Sequence, residues 1–226
     1  MRSVLHAVGD AAKYEVLCFP SFYRGGEAIK DLQGPHMRVL LGSQDTPSGL
    51  IAQEAVTNLL SRWIPRDNIV HSNLWSAELS KLAQNAMKAQ RISSTNAVAA
   101  LCERTGADID EVMEVVGSDS RIGSGYLRAC PGMGGPTLMT NLSMLVYLCE
   151  SMKLASVAEY WQQVIDLNDY ARQRFCDNIV HTMVNVKNKK IAIMGFSYKP
   201  DTSDCRQTPA VDVCRAMLAE LSLIHI

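Results

Sequence analysis

Two groups of residues have the types and the spacing to do chemistry. Lys81, Asn85 and Lys88 stand at i, i+4 and i+7 in a stretch, residues 75–104, that contains no proline or glycine. An ammonium, an amide and a second ammonium therefore project from one helical stripe, although such a stripe is more often a solvated face than a site. The second group is a pair of glycine-rich loops, residues 117–125 around Arg121 and residues 130–136. Glycines let a backbone approach a ligand closely or adopt φ > 0, so these loops point to an anion or sugar site, or to plain turns. The seven cysteines (Cys18, Cys102, Cys130, Cys149, Cys176, Cys205 and Cys214) form no C-x-x-C pair and have no histidine at metal-ligand spacing. They read as reduced thiols that mostly fill a core, with no metal site expected and none a nucleophile on spacing alone.

Composition narrows the partners. Of 226 residues, 47% are hydrophobic and 20% charged, and 22 Lys+Arg face 23 Asp+Glu for a net charge of −1. No excess positive field is present to attract a polyanion, so nucleic acid is not an expected partner. The longest apolar runs, such as residues 191–194, fall far short of the roughly 20 residues that cross a bilayer, and Met1, Arg2 and Ser3 lead into no apolar signal core. No membrane association and a cytoplasmic location are expected.

The elements that must position these residues can be read in turn. Short apolar runs at residues 15–19, 38–41 and 68–70 predict buried strands around a helix near residues 47–63, with turns at Gly34–Pro35, Gly42 and Pro65. Residues 1–14 offer no first strand or phosphate-binding turn, and G-x-G-x-x-G occurs nowhere, so a nucleotide-binding half is expected to be missing. Residues 75–104 predict one long helix with Leu79, Leu82, Ala86, Met87, Ile92, Val98 and Leu101 on its apolar face, closed by Gly106. A short helix at 108–116 and helices at 141–153 and 156–184 follow. The last carries an apolar stripe of Val157, Trp161, Val164, Ile165, Ala171, Phe175, Ile179 and Met183, and at about 45 Å it is long enough to link domains or to pack on a second subunit. A strand at 191–196, a helix at 209–220 and a strand at 223–226 begin another β-loop-α unit.

Three stretches carry a specific resemblance: residues 26–32 (Gly-Glu-Ala-Ile-Lys-Asp-Leu), residues 75–86 (Trp-Ser-Ala-Glu-Leu-Ser-Lys-Leu-Ala-Gln-Asn-Ala) and residues 160–166 (Tyr-Trp-Gln-Gln-Val-Ile-Asp). With residues 190–196 they resemble the UDP-glucose 6-dehydrogenases of the UDP-glucose/GDP-mannose dehydrogenase superfamily, over nearly all of residues 14–226. The resemblance implies an α/β chain in three parts: residues 1–74 as the end of an NAD-binding Rossmann domain, 75–185 as a central all-helical dimerisation domain with a long helix, and 186–226 as the start of a UDP-binding Rossmann-like domain. Those enzymes oxidise the C6 alcohol of UDP-glucose to UDP-glucuronate with NAD, through a cysteine thiohemiacetal and thioester.

Residue by residue, the resemblance assigns Lys81 and Asn85 to the groups that steady the oxyanion and water near C6. It assigns Phe22, Arg121, Arg128, Gly132, Gly134, Tyr198 and Lys199 to substrate, and Gly25 and Arg206 to the cofactor. Lys199 follows a strand end, where such sheets bind phosphate, although beside Pro200 and Asp201 it equally suits a solvated turn. The reacting groups differ. Where relatives read G-F-G-G-S-C-F-x-K-D, residues 132–141 place Thr137 at the nucleophile, Thr140 at the lysine and Asn141 at the aspartate. Where relatives read P-E-F-L-A-E-G, residues 20–26 place Ser21 and Gly25 at the two glutamates. A threonine hydroxyl is a poor nucleophile without an adjacent base. The expected protein is therefore a truncated homologue that does not run the family reaction. It keeps a possible UDP-sugar site and forms a homo-oligomer, or a hetero-oligomer with an intact relative. The other reading is a non-catalytic interaction protein that dimerises with an intact family member through residues 156–184.

Overall fold

The computed structural model describes residues 14–33, 38–184, 186–220 and 223–225, which fall into two compact units, Met1–Ala83 and Gln84–Ile226. The expectations for residues 1–13, Gly34–Pro35 and Ile226 lie outside the described residues.

In the first unit, helix α1 (Ala28–Gln33) precedes strand β1 (Val39–Ser43), helix α2 (Pro47–Leu60) and strand β2 (Ile69–Asn73), and the unit ends in the first turns of the long helix α3 (Leu74–Thr105). Strands β1 and β2 pair in parallel, Val39 opposite Ile69 and Ser43 opposite Asn73, and α2 supplies the crossover that parallel neighbours need. It starts where Thr46 Oγ1 accepts the Gly49 N–H at 3.1 Å, with Pro47 in its first turn. Val39, Leu60, Ile64 and Ile69 form the core. Buried Gln53 donates from Nε2 to the Leu41 and Ser72 carbonyls at 2.7 and 3.2 Å, which ties both strands to the helix.

The strand expected at residues 15–19 is not formed. Cys18 alone joins β1, in an antiparallel bridge to Gly42 with backbone hydrogen bonds of 2.8 and 2.7 Å. Pro20, two residues on, has no N–H with which to continue a ladder.

The second unit contains the rest of α3, then α4 (Ile109–Ser118), α5 (Pro136–Ser151), α6 (Ala155–Met183), β3 (Lys190–Ala192), α7 (Pro209–Ala219) and β4 (Leu223–His225). Helix α3 ends at Gly106, whose φ is +80°, as the sequence implies. Asp108 caps α4 by accepting the Asp110 N–H at 2.7 Å. Helices α5 and α6 pack along one another, and Leu142, Leu145, Val146 and Cys149 meet Ala158 and Val164, with Ala86 and Ala89 of α3 completing the cluster. Burying each such leucine contributes about 2 kcal/mol.

Two expectations about helix faces are corrected. On α3, Leu79, Met87 and Leu101 are exposed, whereas Asn85, Ala86, Ala89, Ser93, Asn96 and Ala99 are buried. Small residues and amides face inward there because they allow close approach and can satisfy loop backbone. On α6 the apolar stripe is not a free patch. Val164 and Ala171 are buried, Trp161 and Ile165 pack on the α5 cluster, and Ile179 packs on a cluster with Val213 and Met217 of α7. Helix α5 covers one half of the stripe and α7 the other, so most of it is this unit's own core.

Strands β3 and β4 pair in parallel, Lys190 opposite Leu223. The run expected to reach Phe196 stops at Ala192, and Gly195 has a φ of +93°, outside the strand region. The described chain is mostly helical, with two small parallel sheets of two strands each.

Candidate functional site

In the first unit, residues 20–26 run past the start of α3. Lys81 Nζ lies 5.2 Å from the centroid of the Phe22 ring. The side chain is half-buried, and burial pushes the pKa of its ammonium down. Ser21 and Gly25 are exposed. Arg24 organises the loop: its guanidinium meets Asp31 at 2.6 Å and Glu27 at 2.7 Å, and its backbone N–H donates to Asp31 at 2.9 Å. These bonds hold the Asp31 carboxyl at about 2, from an ordinary 3.8.

In the second unit, Asn85 is 4% exposed and its Nδ2 has no partner among the described residues. The stripe expected to carry Lys81, Asn85 and Lys88 is thus not a solvated face: Lys88 Nζ lies 5.9 Å over the Tyr126 ring. Arg91, one turn along, donates to the Ile122 and Gly123 carbonyls at 2.9 and 2.6 Å and anchors the first glycine-rich loop. Arg121 itself is exposed and folds back on Asp119 at 2.5 Å, and Arg128 is exposed as well.

The second glycine-rich loop is wedged between two elements. Buried Asn168 of α6 accepts the Met133 N–H at 2.7 Å. On the other side, the Gly135 N–H donates to the Gln207 carbonyl at 3.2 Å. A Cβ on Gly134 would lie 2.7 Å from Pro209 Cδ, and one on Gly135, whose φ is +83°, would lie 2.7 Å from the Tyr198 ring. The structure therefore brings Gly134 and Tyr198 into contact distance. Arg206, expected at the cofactor, pairs with Asp204 at 2.7 Å. Lys199 is half-buried in the same segment. A cavity of about 520 Å³ beside Met133 is lined by Arg172, Gln207, Thr208, Asp212 and Arg215 and by none of the expected substrate residues.

Thr137 lies exposed in the first turn of α5, and its carbonyl accepts from Asn141 Nδ2 at 2.6 Å. No base is hydrogen-bonded to its hydroxyl among the described residues. No three His, Cys, Asp or Glu side chains among them gather where a metal ion could sit. Cys102, Cys149, Cys176 and Cys214 are buried, while Cys130 and Cys205 are exposed.

Two organising residues escaped the sequence reading. Asn168 and Asn96 sit on otherwise apolar faces, four residues after Val164 and Ile92 respectively. Asn96 Oδ1 accepts the Cys130 N–H at 2.9 Å. An amide inside an apolar stripe is the signal that could have found both, because a buried amide needs a partner.

Residues 75–170 match the model of the UDP-glucose/GDP-mannose dehydrogenase family, central domain. Among similar proteins, UDP-glucose 6-dehydrogenase 2 of Arabidopsis thaliana is 50% identical over all of this chain and 47% of its own length. UDP-glucose 6-dehydrogenase 2 of Oryza sativa subsp. japonica is 48% identical over 96% of this chain and 45% of its own length. The chain spans about half the length of the curated relatives it matches. A solved UDP-glucose dehydrogenase from the hyperthermophilic archaeon Pyrobaculum islandicum superposes with a TM-score of 0.83 at 27% identity, covering 94% of this chain and 47% of that one. Fold and sequence similarity thus mark a relative of the UDP-sugar dehydrogenases. The chain belongs to the UDP-glucose 6-dehydrogenase family. No helix among the described residues is long and apolar enough to cross a membrane.

Proposed function

We propose that this chain is a UDP-glucose 6-dehydrogenase homologue that holds a sugar nucleotide but does not oxidise it. The observation that carries this reading is Thr137, an exposed hydroxyl without a base where the family places its thiol. Thr140 and Asn141 on the same helix, and Ser21 and Gly25 in the first unit, likewise lack the family's charged groups. The three-part organisation, with Rossmann remnants at residues 1–74 and 186–226 around a helical 75–185, belongs to the same proposal. The parallel β1–α2–β2 and β3–α7–β4 units support it.

The residues present do not fit NAD. The turn from β1 to α2 lacks the glycine pattern that admits a pyrophosphate, Gly25 lies in a loop organised by Arg24, and Arg206 is engaged by Asp204. Sugar-nucleotide holding is supported by Asn85, buried on α3 with an Nδ2 that has no partner among the described residues.

We also propose pairing with a second copy, or with an intact relative, through the outer face of α6. Tyr160 and Tyr170 are each about half exposed there, and this face replaces the stripe that α5 and α7 cover.

The test is NADH formation from UDP-glucose and NAD by the purified chain, alone and as Thr137→Cys. Neither should exceed a no-protein control, because the replaced groups act as a unit and a lost covalent nucleophile costs on the order of 4 kcal/mol of barrier or more. Turnover restored by Thr137→Cys alone would sink the reading of a site broken at several positions.

A further inference from the structure

Two buried hydrogen-bond donors on adjacent turns of α6 lack acceptors among the described residues. Asn168 is 1% exposed, and its Oδ1 is taken by the Met133 N–H at 2.7 Å, while its Nδ2 has no partner. Arg172, one turn on, has a buried Nε in the same condition. Both side chains face the Gly132–Met133 backbone: a Cβ on Gly132 would lie 3.1 Å from Asn168 Oδ1 and 3.7 Å from Arg172 Nε. Met133 and Arg172 are also walls of the cavity of about 520 Å³, whose other walls include Thr208, Asp212 and Arg215. Asp212 lies 2.8 Å from Arg172 Nη1 and 3.7 Å from Arg215 Nη1. Asp169 reaches the same Nη1 of Arg172 at 3.7 Å and does not line the cavity. The carboxylates thus take the Nη1 end of Arg172 and leave its Nε unserved. Both orphaned groups are donors, so whatever relieves them must bring oxygens that accept. A tetrahedral oxyanion does so, and guanidinium groups bind one through charge-assisted hydrogen bonds.

We propose that this cavity is a binding site for a phosphate-type oxyanion, held by Arg172 and Arg215 between α6 and α7 and apart from the residues expected at a sugar nucleotide. Arg172 donates from its Nε. Arg215, whose side chain is 77% exposed, supplies the second guanidinium from the solvent side. Asp212 opposes the ion and keeps its binding weak, so removing that one negative charge should strengthen the site. The inference stands whether or not a sugar nucleotide binds elsewhere on the chain.

Titration of the whole chain with inorganic phosphate at constant ionic strength, followed by NMR at the arginine Nε–H groups, tests it, with Arg172→Lys identifying the Arg172 signal. That signal should shift and saturate with a Kd on the order of 1 mM, and chloride at the same ionic strength should not move it. Arg215→Gln, at an exposed side chain, should weaken binding about fivefold or more. Asp212→Asn should tighten it about threefold or more, and Arg215→Gln carries the test if Asp212→Asn does not fold. Phosphate affinity should stay within about twofold when UDP-glucose is added. No saturable shift, or an equal response to chloride, would overturn the site. Binding unchanged in Arg215→Gln, or weakened in a folded Asp212→Asn variant, would overturn its assignment to this cavity. Displacement of phosphate by UDP-glucose would place the ion at a sugar-nucleotide site and overturn the inference while supporting that reading.

Discussion

Replacing Gly135 by alanine tests how tightly the glycine-rich loop is held against the Tyr198 segment. Gly135 has a φ of +83°, and the new Cβ would lie 2.7 Å from both Cδ2 and Cε2 of Tyr198. Carbon atoms rest near 3.5–4.0 Å apart, so the ring or the loop would have to yield by roughly 1 Å. The left-handed backbone costs an alanine about 1–2 kcal/mol, overpacking adds about 1–3 kcal/mol, and the stiffer unfolded chain returns about 0.4–1 kcal/mol. The net loss is about 3 kcal/mol. Gly106 provides the control: its φ is +80° and nothing lies within 4 Å of its Cβ position, so Gly106→Ala should cost about 1 kcal/mol by backbone alone. Hydrogen exchange at Leu142, Leu145, Val146 and Cys149 reads the stability of this unit, and a 2 kcal/mol difference between variants appears there as about a thirtyfold change in rate. Tyr198→Ala in the Gly135→Ala background should recover most of that difference, since it removes the atoms in collision. Equal effects of the two glycine substitutions, or no recovery in the double variant, would refute the packing argument.

Other outcomes follow from single contacts. The Asp31 carboxyl should titrate near 2 by NMR and return toward 3.8 in Arg24→Gln. The stability from this depressed carboxyl is complete above its unfolded value and is lost as pH falls through the folded one, so the loop loosens only below pH about 4. Asn168→Leu removes the acceptor of the buried Met133 N–H and should destabilise the second unit by about 2 kcal/mol in urea melts, while Asn168→Asp, which keeps the oxygen, should cost less. Because Trp161 packs on the α5 cluster, Trp161→Ala should lower stability by about 3 kcal/mol at unchanged sedimentation. Dissociation of an assembly without loss of stability would contradict that placement.

Periodicity and turn residues located the long elements well, for reasons visible in particular residues. Thr46–Pro47, Gly106, Asp108 and Thr208–Pro209 punctuate the helices with local chemistry that a sequence carries by itself. The short strands were less legible. Residues 15–19 have strand-like composition, yet one residue pairs, because pairing depends on a partner edge that local composition does not encode. The inward faces of α3 and α6 were misjudged for a related reason. Apolar spacing identifies a stripe but cannot say whether a second subunit or the chain's own α5 and α7 will cover it, and it overlooks amides such as Asn85, Asn96 and Asn168 that are buried to hold loops. The candidate site residues on helix α3, Lys81 and Asn85, came from the motif. What their surroundings do to them, namely a desolvated ammonium and an orphaned amide, required the structure.

The pattern of match and mismatch with the family motifs has a physical basis that bears on function. Ser21, Gly25, Thr137 and Thr140, at the positions that the resemblance assigns to reacting groups, are all exposed, and surface substitutions usually change stability by less than about 0.5 kcal/mol. Gly134 and Gly135, which match, lie where a side chain would strike Pro209 or Tyr198, and their replacement should cost several times more. The glycine-rich loop is therefore required by the fold whether or not any sugar nucleotide ever lies beside it, and its presence alone does not argue for a ligand. Lys81 is different, because its half-buried ammonium rests against the Phe22 ring and not against a carboxylate among the described residues. The measurement that bears on a ligand is therefore direct titration with a sugar nucleotide, and not the integrity of the loop.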